Sequence, residues 1–154
     1  MAKAKRKAAK PVPDLVRRQR AIEATMRKFG GRNFKLGKVD CLHLVRAHAV
    51  AMGHRGLPKV PDYRSEGGAA GALAKQGVET LEELLDKHFS RITPAAMLPG
   101  DVGLVESEPH APAWRQGSAV ISVGRKWLGW HPDTLLLAVC DPIVSEPFKA
   151  AWRL

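Results

Sequence analysis

The sequence predicts an α+β fold on three observations. The first 90 residues hold amphipathic and alanine-rich runs with recognisable helix caps and stops. The remainder holds short β-prone runs punctuated by Gly and Pro, and the two kinds of run do not alternate along the chain. N-terminal helices packed on a C-terminal antiparallel sheet are therefore expected. At 154 residues, a single domain over 14–154 behind a basic flexible leader over 1–13 accounts for the whole chain.

Pro11 and Pro13 close the leader, and Asp14 reads as the N-cap of a helix that runs to about residue 28 and stops at Gly30-Gly31. Leu15, Ile22, Met26 and Phe29 form its expected inner stripe; Arg17, Arg18, Arg20 and Arg27 form its outer face. Asp40 caps a second helix from 41 to about 52, ended by Gly53. Cys41, Leu44, Val45, His48 and Met52 recur at spacings of three and four, which turns that face to the core. Residues 54–68 read as loop around Pro58 and Pro61, and an alanine-rich helix follows over 69–76. Thr80-Leu81-Glu82-Glu83 is a capping box opening a helix to about residue 89, with Leu81, Leu84, Leu85 and His88 inward. Strands are expected at 101–105, 119–123, 126–130 and 135–139, and 148–154 reads as a last strand or a docked turn.

Charge is distributed unevenly. Residues 1 to 38 carry 13 Lys or Arg against Asp14 and Glu23, whereas residues 39 to 154 carry 12 against 13. A front of this kind binds a polyanion or an acidic protein surface, or serves as a solubilising tail. Lys3, Lys5, Arg6, Lys7 and Lys10 of the leader, with Arg17, Arg18 and Arg20 of the first helix, are its candidate partner-binding residues. The leader has no interleaved aromatics and the chain no helix-turn-helix or zinc finger, so nucleic acid ranks last among partners. No apolar run reaches the roughly 20 residues of a membrane span, and no apolar h-region follows the basic start, so neither a span nor an export signal is expected. Cys41 and Cys140 are too few for a disulfide framework, which points to a reducing compartment. The six histidines show no zinc-ligand spacing; no metal and no cofactor are expected.

Cys41 is the strongest chemical signal. A glycine-containing turn delivers it to the first turn of a helix, where the positive end of the helix dipole favours thiolate. Two readings stand side by side: a nucleophile of a cysteine hydrolase, and a small core residue at a helix start. Asp40 stabilises the helix as a cap while its charge opposes ionisation of the thiol. A base is harder to place. His43 points about 200° away around the helix, and His48 lies two turns along, roughly 10 Å from Cys41. His88 falls on the inner face of its helix, and His110 and His131 lie beside prolines.

The string Phe34-x-x-Gly37-x-x-Asp40-Cys41, then Leu98-Pro99-Gly100-Asp101-Val102, then an apolar strand ending at Gly124, resembles the NlpC-type superfamily of papain-like cell-wall peptidases. With a terminal Ala151-Trp152-Arg153, the order of blocks is similar to a small NlpC-like family encoded among the tail genes of tailed phages and prophages. The resemblance spans roughly residues 29 to 154. It implies a papain-like domain with Cys41 at the nucleophile position, Ser118 where the base histidine belongs, and His131 at or one past the third position. A serine hydroxyl cannot act as a base near neutral pH, and loss of the base removes on the order of 10²-fold to 10⁴-fold of rate. The resemblance thus implies a degenerate, non-catalytic part of a phage tail tip or baseplate hub, made in the host cytoplasm and carried in the virion, with other tail proteins as partners. An active peptidoglycan amidase or endopeptidase using Cys41, with His131 or His110 as substitute base and anionic wall polymers as its target, is the alternative.

Overall fold

The computed structural model describes residues 9–106, 117–130, 135–141 and 148–154. Within them, helices α1 (Asp14–Phe29), α2 (Cys41–Ala51), α3 (Glu66–Ala74) and α4 (Leu81–His88) precede six strands. These are β1 (Ser90–Ile92), β2 (Val102–Val105), β3 (Ser118–Ser122), β4 (Trp127–Trp130), β5 (Leu137–Cys140) and β6 (Phe148–Arg153). They form one sheet in the order β1-β6-β2-β3-β4-β5, antiparallel at every pairing. The α+β layout holds, with the four expected central strands found within about two residues of their expected bounds. No helix among the described residues is long and apolar enough to cross a membrane.

Alternation along the strands sorts the sheet into two faces. Val102 pairs with Ile121 and Leu104 with Ala119, and these four share one core with the buried helix side chains. The opposite face carries Gly103, Val120 and Gly129, and a Cβ on Gly103 would lie 2.5 Å from the Phe148 ring, which fills that space. Trp127 packs on Phe148 with ring centroids 4.8 Å apart.

Helix α1 departs from expectation in its rotation. Pro13 holds the N-cap and Asp14 is the first helical residue; its carboxylate pairs with Arg17 and with Arg18, the latter at 2.7 Å. The buried face is Arg18, Ala21, Ile22, Thr25 and Phe29, while Leu15 and Met26 are 66% and 40% exposed. Arg18 was expected to meet partners and instead lies in the core, 3% exposed. Its guanidinium donates to Asp101 at 2.9 Å, to the Pro99 carbonyl at 3.0 Å and to the Leu154 carbonyl at 2.9 Å, the partners a buried cation requires. Arg20 is exposed and Arg17 half-buried, and Arg17 donates to the Met52 carbonyl. Lys10 is exposed; Lys3, Lys5, Arg6 and Lys7 lie outside the described residues.

Helix α3 begins at Glu66 rather than Ala69, because Ser65 caps it by accepting from the Gly68 N–H at 3.0 Å. Thr80 caps α4 as expected, accepting from Glu83 N–H at 3.1 Å, while the Glu83 carboxylate accepts from Glu79 N–H at 2.7 Å. Strand β1 was not anticipated: three residues are too short to show alternation, and it exists by pairing with β6 at the sheet edge. The tail is a last strand, the first of its two expected forms. As β6 it runs between β1 and β2, and its fully buried Trp152 donates Nε1–H to Asp86 at 2.9 Å.

Candidate active site

The turn before α2 is built by Gly37 and Asp40. Gly37 has φ +81°, and a Cβ there would collide with the carbonyl oxygen of Tyr63, so the position accepts only glycine. Its N–H donates to Asp40 Oδ2 at 2.7 Å. Asp40, in extended backbone, caps α2: Oδ1 accepts from His43 N–H at 3.1 Å and faces His43 Nδ1 at 2.7 Å, and Oδ2 also accepts from the Tyr63 hydroxyl. Every block of the Gly37-x-x-Asp40 motif is thus occupied by structure. Cys41 follows as the first helical residue, 2% exposed.

The charge at this helix head is set by Asp40. Burial pushes the Asp40 carboxyl up, but the hydrogen bonds from His43 and Tyr63 and from the His43 and Gly37 amides outweigh it, holding the group below the usual carboxylate range. An ionised carboxylate therefore caps the helix one residue before the thiol. Burial and the Asp40 charge raise the Tyr63 hydroxyl well above its ordinary value, with Cys41 adding to the effect, so Tyr63 stays a neutral donor beside the cysteine. Tyr63 went unnoticed in the sequence, where it is one polar aromatic within a proline-rich loop.

Of the described histidines, His43 and His48 are held by hydrogen bonds. His43 turns back onto Asp40 and sits beside the Tyr63 ring at 5.8 Å. His48 is fully buried, with Nε2 2.9 Å from the Gly100 carbonyl and Nδ1 2.8 Å from Thr25 Oγ1. Burial lowers its pKa to about 4, so it is neutral; with Nε2 carrying the proton to the Gly100 carbonyl, Nδ1 is an acceptor, and it shares the single Thr25 hydroxyl proton with the Ala21 carbonyl, 2.9 Å from Thr25 Oγ1. His54 and His88 pack near Phe89 at 4.9 and 6.2 Å between ring centroids. His110 and His131 lie outside the described residues. Ser118 opens β3 opposite Val105, half-buried. It shares the sheet face of Val120, away from the helices; the residue that β3 turns toward the helices there is Ala119.

The second motif, Pro99-Gly100-Asp101, is a polar hub at the other end of α2. Asp101, fully buried, accepts from Arg18 at 2.9 Å, Arg153 at 2.9 Å, Leu98 N–H at 2.8 Å and Leu154 N–H at 3.2 Å. Gly100 donates to the Ser122 carbonyl at 2.7 Å and accepts from His48. The hub ties α1, α2, β3 and β6 together, which is why Arg153 of the terminal motif belongs to it.

A cysteine at the head of a helix packed on an antiparallel sheet is the arrangement of an NlpC-type fold, and solved structures share that fold. The fold is similar to NlpC1 from Trichomonas vaginalis, with TM-score 0.54 and 15% identity over 88% of this chain and 43% of that one. It is likewise similar to NlpC2 from Trichomonas vaginalis, with TM-score 0.53 and 14% identity over 94% of this chain and 48% of that one. The chain spans less than half the length of either protein. Residues 15–140 match the family described as a domain of unknown function (DUF6950), and the chain belongs to that family. No curated protein matches it.

Proposed function

We propose that this chain is a structural, non-catalytic NlpC-type component of a tailed-phage tail tip or baseplate hub. The observation that carries the non-catalytic part lies at the start of β3, where the resemblance puts the base. Ala119 faces the helices and Ser118 faces away, and neither side chain accepts a proton near neutral pH. The burial of Cys41 and the ionised Asp40 beside it support the same reading. The tail assignment rests on the order of motif blocks and on the terminal Ala151-Trp152-Arg153. Arg17, Arg20 and the leader lysines supply the cationic surface for acidic neighbours, and docking through them weakens with salt.

A zymogram on purified cell walls tests the chemistry: neither the natural chain nor Cys41→Ala is expected to clear them. Detection of the protein in purified tails tests the location, and its absence from them overturns the tail role. The competing reading, an active peptidoglycan hydrolase, rests on Cys41 opening α2; clearing that is lost in Cys41→Ala establishes it.

A further inference from the structure

The end of α1, the turn before α2, α2 itself and the following loop enclose a groove lined by Lys28, Arg32, Lys38, Arg46, Lys59 and His43. Lys28, Arg32, Lys38 and Lys59 are exposed, and Arg46 is half-buried. Among the described residues no carboxylate forms an ion pair with any of these five cations, whereas Arg17, Arg18, Arg91 and Arg153 are each paired. Asp40, bonded to the lining residue His43, is fully buried and already holds four donors. Arg46 is fixed in place, its Nε donating to the Pro58 carbonyl at 2.7 Å. Five converging cations repel one another, and a single monovalent anion leaves most of that repulsion standing.

We propose that this groove binds a short phosphate chain that carries no bases. Several negative charges in a row match several cations that have no carboxylate partner in one groove, and guanidinium and ammonium groups together suit phosphate oxygens. The groove offers little platform for bases: Phe29 is 2% exposed, and the His43 ring is held on Asp40 and beside Tyr63. The proposal is independent of whether Cys41 reacts, since it rests on the groove's charges alone.

The test uses the full chain with Lys3, Lys5, Arg6 and Lys7 changed to Gln, so that leader charges do not contribute. Calorimetry at low ionic strength measures binding of tripolyphosphate, a synthetic glycerol phosphate hexamer, oligothymidylate and hexaglutamate. One or both phosphate probes are expected to bind, and the tighter of the two identifies the source as free polyphosphate or a phosphodiester-linked polyol polymer. Lys38→Glu with Lys59→Glu should weaken binding about tenfold or more, while Arg20→Glu with Lys75→Glu, the same charge change outside the groove, should weaken it less than about threefold. Equal losses in the two pairs, no binding of either phosphate probe, or tighter binding of the oligothymidylate or the hexaglutamate would each overturn the proposal. Unchanged urea midpoints in both pairs show that the comparison is between folded proteins.

Discussion

Mild acid should destabilise this protein chiefly through one buried imidazole, with His54, whose pKa burial also lowers, adding in the same direction. His48 is neutral in the fold, with a pKa lowered from 6.5 to about 4, chiefly because burial disfavours its charged form and with Arg18 adding to the effect. The Gly100 carbonyl and Asp101 act the other way, and His54 is the further titratable group that bears on it. Above pH 6.5 the imidazole is neutral in both the folded and unfolded chains, and the contribution to stability is complete. As pH falls from 6.5 toward 4, the unfolded chain takes up a proton that the folded one refuses, so stability is lost across that window and the loss levels off below it. The gap from 6.5 to about 4, at about 1.36 kcal/mol per pH unit, amounts to about 3 kcal/mol. For a chain of this length that is a Tm fall of about 6–12 °C. Urea melts at pH 7, 6, 5 and 4.5 on the natural chain and His48→Gln measure it. Gln keeps an amide N–H for the Gly100 carbonyl while removing the titration. The variant should start lower at pH 7 yet lose less as the pH falls. Parallel loss in the two proteins over this range would refute the assignment; the depressed Asp40 carboxyl contributes only nearer and below its ordinary value of 3.8.

Three further outcomes follow from the geometry. Asp101→Ala removes the acceptor of four donors and strips Arg18 of its buried partner, so it should cost about 4 kcal/mol in urea melts, and a loss under about 1 kcal/mol would mean the hub is not structural. Gly37→Ala, blocked by both its positive φ and the Tyr63 carbonyl, should cost about 3 kcal/mol or more, whereas Gly53→Ala, at φ +101° with open space around it, should cost about 1–2 kcal/mol. A thiol reagent should label half-buried Cys140 first and Cys41 at least about tenfold more slowly; faster labelling of Cys41 would mark an activated nucleophile and count against the non-catalytic reading.

Much of the fold was legible because helix signals are local. Asp40 and Thr80 cap α2 and α4 as their sequence neighbours imply, since a cap and the amides it serves lie within three residues. The errors fall where a residue's partner is distant in sequence. Leu15 and Met26 looked like core until Arg18 was found taking the inner face, and it does so because Asp101 lies 83 residues away. Strand β1 has no pattern of its own and is stabilised by β6.

The candidate site divides in the same way. The sequence by itself set Cys41 at the head of a helix behind a glycine turn, through short-range backbone and capping chemistry. Only the tertiary structure decided how Cys41 is surrounded. Tyr63, 23 residues from Asp40, completes the buried carboxylate's shell, and strand pairing turns Ala119 rather than Ser118 toward the helices. The basic groove likewise has no sequence motif, because chain folding alone brings Lys28 and Lys59 to one cleft. Capping and turn formation depend on neighbours within a few residues, whereas burial, strand facing and charge convergence depend on which distant segments pack together.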